Sequence, residues 1–196
     1  MQARYDFGHM LPAPYTLIAA SALRRQSVVV GDVVFRQGAR THGLYIVKAG
    51  RVHLERVGPN GERFVIHRAM PGTSFAEASV FSERYHCDAI VVASGELVGI
   101  DKAAVLAAFA NPDFARAYGR LAAQQIQAQR QIIEIVGIRR AEDRVMAGLV
   151  AGLLEGTVVD FAARLHLTHE ATYRALRALE ADGRVTNPSR GIYRLP

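Results

Sequence analysis

The sequence predicts an α+β protein in three parts: an N-terminal β jelly-roll (cupin-like) barrel, a long dimerisation helix and a C-terminal winged helix-turn-helix. Three observations carry this. Short apolar runs separated by turn residues crowd the stretch from Val28 to Ile100. A helical period then runs unbroken from about Pro112 to Val136. Finally, residues 157–185 read as two short helices with a cap-bearing turn between them. The predicted boundaries are 1–110 for the barrel, 111–137 for the long helix and 138–196 for the last domain.

Taken in order, residues 1–14 carry Pro12 and Pro14 and little periodicity, which reads as a partly mobile lead-in. Leu17 to Arg25 reads as a short helix. Strands are expected at Val28–Val30, Val33–Phe35, Leu44–Val47, Val52–Leu54, Phe64–Ile66, Ala89–Ala93 and Leu97–Ile100. Gly31-Asp32, Gly38, Gly50, Pro59-Asn60-Gly61 and Pro71-Gly72 separate them, and Asn60-Gly61 between two apolar runs is a strong hairpin signal. So many short strands in so short a stretch indicate a small barrel or sandwich. Lys102 to Phe109 reads as a short helix, ended near Asn111-Pro112, and Pro112 suits the first turn of the next helix.

That next helix is about 25 residues, roughly 37 Å at 1.5 Å per residue. Tyr118, Leu121, Gln125, Ala128, Ile132 and Ile135 recur at three- and four-residue spacing, the pattern of a parallel dimer seam. Ala122, Ile126, Ile133 and Val136 widen the stripe; the bland alternative is that it packs on its own barrel. Gly137 to Arg140 reads as a hinge, and Ala141 to Leu154 as the first helix of the last domain.

In that domain the first short helix carries Val159, Phe161, Ala162 and Leu165 at helical spacing. The second starts after Thr168, a good N-cap, and is expected to bury Ala171, Leu176 and Leu179. Its other face, His169, Glu170, Thr172, Tyr173, Arg174 and Arg177, is polar and cationic near the helix start, as a helix entering the major groove requires. A solvated amphipathic helix also has one polar face. The pairing with a second helix and a following strand pair is what favours DNA.

Composition sets the outer limits. The 196 residues suffice for one large domain or two small ones, and half of them are apolar. No run approaches the roughly 20 apolar residues of a membrane span, and the N-terminus lacks the basic-then-apolar pattern of a secretory signal. The expected location is cytoplasmic. The one cysteine, Cys87, excludes an internal disulfide and a multi-cysteine metal centre. A net charge of +6, nearly all of it from arginine, suits a polyanionic partner. No catalytic pair of carboxylates, nucleophile–histidine motif or phosphate-binding glycine loop stands out, so neither an enzyme nor a cofactor is expected. His166 and His169 have no third metal ligand near them in sequence.

The chain resembles the cyclic-AMP receptor protein/fumarate-nitrate regulator (CRP/FNR) superfamily of bacterial transcription factors, from about Leu23 to Leu195. The resemblance rests on Gly38-Ala39-Arg40-Thr41-His42-Gly43-Leu44-Tyr45-Ile46-Val47-Lys48-Ala49-Gly50, on Pro71-Gly72-Thr73-Ser74-Phe75-Ala76-Glu77, on Asn111-Pro112-Asp113 and on Thr168-His169-Glu170-Ala171-Thr172-Tyr173-Arg174, in that order. It implies a homodimer that binds double-stranded DNA, with an effector pocket in each barrel that biases the DNA-binding domains. The Gly137–Arg140 hinge is expected to absorb the change. RNA polymerase is a further partner if the protein activates.

By the same resemblance, His169, Glu170 and Arg174 read bases, while Thr168, Thr172 and Arg177 meet phosphate. Arg190 lies in the wing tip Asn187-Pro188-Ser189-Arg190-Gly191, where solvation and backbone contact are even alternatives. The short link Glu155-Gly156-Thr157-Val158 and the end at Pro196 suggest a compact version of the domain.

The candidate effector residues are Glu77, Arg84, Cys87, Asp88 and Gln129, and they depart from a cyclic-nucleotide site. Ala76 replaces the glycine before Glu77. Cys87 falls where the resemblance places the phosphate-binding arginine, and Asp88 where it places a hydroxyl residue. A carboxylate there repels phosphate, so cyclic AMP is not the expected effector. Gln129 and Arg130 stand where small hydroxyl residues would contact the base. Three readings compete: Cys87 as a buried apolar residue with Asp88 capping a turn; Cys87 as a redox sensor activated by His86 or Arg84; or His86 or Cys87 as a haem ligand. The rival to a DNA-binding regulator is a ligand-binding or redox-sensing module whose last domain mediates protein contacts.

Overall fold

The computed structural model describes residues 11–196 except Pro59, Glu62 and Arg190, so most of the lead-in and the wing-tip arginine lie outside the described residues. The chain divides into two compact units, the first ending at Leu121 and the second running Ala122–Pro196.

The first unit is built on two long antiparallel strands. Its elements are β1 (Leu23–Val28), β2 (Val33–Phe35), β3 (Gly43–Val57), β4 (Arg63–Ala69), β5 (Ser74–Phe75), β6 (Asp88–Asp101) and α1 (Lys102–Ala108). The expected strand pairs 44–47/52–54 and 89–93/97–100 are therefore each one continuous strand, β3 and β6. They pair from Gly43↔Asp101 to Glu55↔Asp88 with shifts in register around Ala49 and Arg51. Glycines allow this crossing: a Cβ on Gly95 would lie 2.0 Å from the Ala49 carbonyl oxygen, and one on Gly50 would lie 2.4 Å from that of Ala93. Each long strand also serves two partners. β6 pairs with β2 near its start and β1 near its end, and β3 pairs with β5 and then β4. That sharing folds six strands into a barrel-like double layer.

Alternation along the strands separates two cores. Val47, Val52, Leu54, Ala89, Val91 and Leu97 join Phe35, Phe75, Tyr85 and Cys87 in one. Leu44, Ile46, Val98 and Ile100 face the other, covered by Leu11, Tyr15, Ile18, Val105, Phe114 and Tyr118. The first core is largely aromatic, with Tyr85 stacked on Phe35 at 3.7 Å and Tyr45 on Phe75 at 5.3 Å.

Residues 17–25 are not a helix. Two 3₁₀ turns, Tyr15–Leu17 and Ala20–Ala22, lead into β1, whose Leu23–Val28 backbone pairs with Gly95–Ile100. The ladder that β6 offers outweighs the local helical preference of this alanine-rich stretch.

The helix α2 (Pro112–Val136) begins at the predicted proline, with Asn111 Oδ1 accepting the Asp113 N–H at 2.8 Å. The second unit then holds α3 (Ala141–Val150), α4 (Val158–Arg164), α5 (His169–Ala181) and the hairpin β7 (Thr186–Ser189)–β8 (Ile192–Arg194). Helix α3 stops at Val150, short of the expected Leu154, because the chain turns left-handed at Gly152 (φ +69°). One core unites α3, α4, α5 and the last turn of α2: Ile135, Val145, Phe161, Leu165, Ala175, Leu176, Leu179 and Val185.

Candidate functional site

The second unit presents α5 on a rigid support. Thr157 caps α4, its Oγ accepting the Asp160 N–H at 3.0 Å. Helix α4 ends with His166 in the left-handed region (φ +51°), and the Leu167 N–H reaches back to the Ala162 carbonyl at 3.0 Å. Thr168 then starts α5, with its Oγ accepting the Ala171 N–H at 3.1 Å. Arg144 ties the support together, donating to the carbonyls of Ile138 at 2.8 Å and Leu165 at 3.3 Å. At Gly148 a Cβ would lie 2.9 Å from Leu165 Cδ2 and Phe161 Cε2, so α3 and α4 pack closely there.

Of the predicted contact residues, Thr168, His169, Glu170, Tyr173, Arg174 and Arg177 are exposed on α5. Among the described residues neither Arg174 nor Arg177 forms an ion pair, which leaves both guanidinium groups available. Thr172 is a correction: it has no exposed surface, and its hydroxyl donates to the Thr168 carbonyl at 3.0 Å. From the core side of the helix it cannot meet a phosphate. Arg190 lies outside the described residues.

On α2 the predicted seam divides. Tyr118 and Leu121 pack in the first unit, where the Tyr118 ring meets Phe109 at 5.0 Å and Phe114 at 5.8 Å. Ile135 belongs to the core of the second. Gln125 and Ile132 are half-buried, and Ala128 is exposed. The apolar residues left at the surface are instead Ile126 (50 % exposed) and Ile133 (71 %). They fall on a parallel register, Ala122, Ile126, Gln129, Ile133 and Val136, one residue on from the predicted one. The heptad spacing fits both registers equally. Only tertiary packing distinguishes them.

In the first unit each charged barrel candidate is held by neighbours of its own. Glu77 follows Ala76, which is left-handed at φ +69°, and its carboxylate accepts a short hydrogen bond from Ser74. Arg84 donates to the Gly38 carbonyl at 2.6 Å. Asp88 accepts from the Gln37 N–H at 2.7 Å and from Arg36 at 3.0 Å. Burial acts to raise its pKa, but those two donors outweigh it and hold the carboxyl below the usual carboxylate range. Gln129 is exposed on the part of α2 that belongs to the second unit.

Cys87 is buried, and burial pushes its thiol pKa up, against a smaller opposing pull from Arg56. The activators expected of a redox site are occupied elsewhere: His86 Nε2 lies 2.9 Å from Ser82 Oγ, and Arg84 serves Gly38. Arg56 is the residue that sequence reasoning misses. The register Leu54↔Ala89, Glu55↔Asp88 brings it opposite Cys87, and its Nε donates to the His86 carbonyl at 3.1 Å. The alternation Val52, Leu54, Arg56 carried the signal. No group of three or more His, Cys, Asp or Glu that could hold a metal occurs among the described residues.

A sheet-built barrel, then a long helix, then a capped helix-turn-helix with a wing make a two-part architecture. Comparison with known proteins agrees. Residues 25–111 match the cyclic nucleotide-binding domain family. The chain is 27 % identical to the cyclic AMP receptor protein of Thermus thermophilus over 175 residues, covering 85 % of this chain and 81 % of that one. It is 26 % identical to the nitrogen fixation regulation protein FixK of Azorhizobium caulinodans, covering 90 % of this chain and 76 % of that one. The solved structure of FixK2 from Bradyrhizobium japonicum has the same fold, with a TM-score of 0.68 at 18 % identity over 88 % of this chain and 92 % of that one. These matches fit the CRP/FNR superfamily. One of these relatives is named as a receptor and the other as a regulation protein. No helix among the described residues is long and apolar enough to cross a membrane.

Proposed function

We propose that the chain is a sequence-specific, DNA-binding transcription regulator that works as a homodimer on an inverted repeat, with its barrel as the sensing part. The observation that carries this is the exposed start of α5: His169, Glu170, Tyr173, Arg174 and Arg177 project from a helix whose other face is fixed in a core. Glu170 suits cytosine N4 as an acceptor, and Arg174 suits guanine O6 and N7 as a two-fold donor. The name of the FixK relative speaks for regulation.

Dimerisation runs through the register Ala122, Ile126, Gln129, Ile133 and Val136, since exposed isoleucines seven residues apart are what a parallel helix pair buries. Two copies of α5 then read half-sites about one DNA turn apart. The effector is not cyclic AMP: Cys87 stands in place of a phosphate-binding arginine, and Glu77 is already bonded to Ser74.

The decisive experiment is selection of random duplex DNA by the purified, ligand-free protein. An enriched inverted repeat supports the reading. Binding without sequence preference and with a shallow salt slope would favour a module whose last domain serves protein contacts.

A further inference from the structure

We infer that Glu77 is an internal latch: through Ser74 and Tyr118 it joins Tyr15, in the segment before β1, to the root of α2. This deepens the proposed reading of the barrel as the sensing part and rests on it for its regulatory meaning.

Three hydroxyls build the latch. Tyr15 is fully buried and donates to Ser74 Oγ at 3.2 Å. Ser74, itself buried, donates to the Glu77 carboxylate in a short hydrogen bond. Tyr118, on the second turn of α2, donates to the Glu77 backbone carbonyl at 3.2 Å. The rings of Tyr15 and Tyr118 also meet edge to face, 6.5 Å apart. Burial raises the pKa of both phenols, with the Glu77 charge adding to it, and Tyr118 is pushed up to about 12. Both tyrosines therefore remain donors throughout neutral pH.

The consequence concerns what an effector must do. A ligand hydroxyl that took the Glu77 Oε1 atom from Ser74 would leave a buried hydroxyl without its acceptor, a state that proteins avoid. Occupation of that oxygen and retention of the Tyr15 segment are thus alternatives. The orientation of the first turns of α2 is set by groups of the chain itself, with Glu77 as their common acceptor.

Amide hydrogen exchange on the full chain tests this, because it reads local opening residue by residue. Tyr15→Phe and Ser74→Ala are expected to speed exchange over residues 112–121 by about tenfold, the worth of one hydrogen bond. Ser74→Thr restores the hydroxyl and is expected to exchange as the parent does. Tyr118→Phe is expected to speed exchange over residues 15–18, and it serves alone if the Ser74 variants do not fold. Faster exchange confined to the neighbourhood of each substitution would overturn the latch. So would a uniform rise across the barrel matching the loss in urea stability. None of these measurements involves DNA, so their failure leaves the DNA-binding reading standing, and a failed DNA selection leaves the latch standing.

Discussion

Arg174 and Arg177 lie three residues apart on α5, both exposed and free of carboxylate partners among the described residues, yet they are expected to act differently. Arg174→Ala should cost about 1–3 kcal/mol on the selected operator and relax preference at one base pair, whereas Arg177→Ala should weaken operator and random DNA alike and flatten the salt slope. Equal losses on both DNAs for Arg174→Ala would remove it from the base-reading set. Asp88 makes a pH-dependent prediction. Its folded pKa lies below the unfolded carboxylate value, so its contribution to stability is complete above that unfolded value, about 4, and is lost as pH falls through the folded one. Asp88→Asn should therefore flatten the acid limb of a urea-unfolding series. What the sequence makes legible at this scale is residue type and spacing: Thr168 as a cap and Arg174 on a polar face follow from local rules. Thr172 escapes them, because its hydroxyl satisfies itself on the Thr168 carbonyl and so lets a polar residue sit in the core.

Elements are legible where their signals are local and ambiguous where a partner decides. The start of α2 at Pro112, the cap of α5 and the hairpin between β3 and β4 all follow from nearby residues. The stretch before β1 does not, because its strand exists by virtue of β6, and neither does the exposed register of α2, where two heptad stripes lie side by side. The turn of the helix-turn-helix offers a direct check on local strain. His166 holds a left-handed conformation that costs a side-chain-bearing residue more than glycine, so His166→Gly should raise unfolding stability by about 0.5 kcal/mol after the entropy glycine adds to the unfolded chain. At Gly148 the reverse holds. Gly148→Val pushes a branched side chain against Leu165 and Phe161 and should cost about 1–3 kcal/mol in the same urea titration.

For the whole molecule, the two exposed isoleucines of α2 set the expected assembly. Ile126→Asp combined with Ile133→Asp should shift sedimentation from dimer to monomer and abolish cooperative binding to the inverted repeat, without changing the circular dichroism of the folded chain. A dimer that survived both charges would place the interface elsewhere. The pairing of β1 with β6 carries a consequence for how the chain is made. Arg24 and Asp101, joined by an ion pair at 3.1 Å, stand 77 residues apart in sequence. During synthesis the first strand must wait, unpaired, until the whole barrel sequence has left the ribosome, whereas the later helices find their neighbours within a few tens of residues. A nascent chain halted before Asp101 therefore carries an unfinished sheet edge. The barrel is expected to fold as a late, single event and the helical unit in a separate, quicker one.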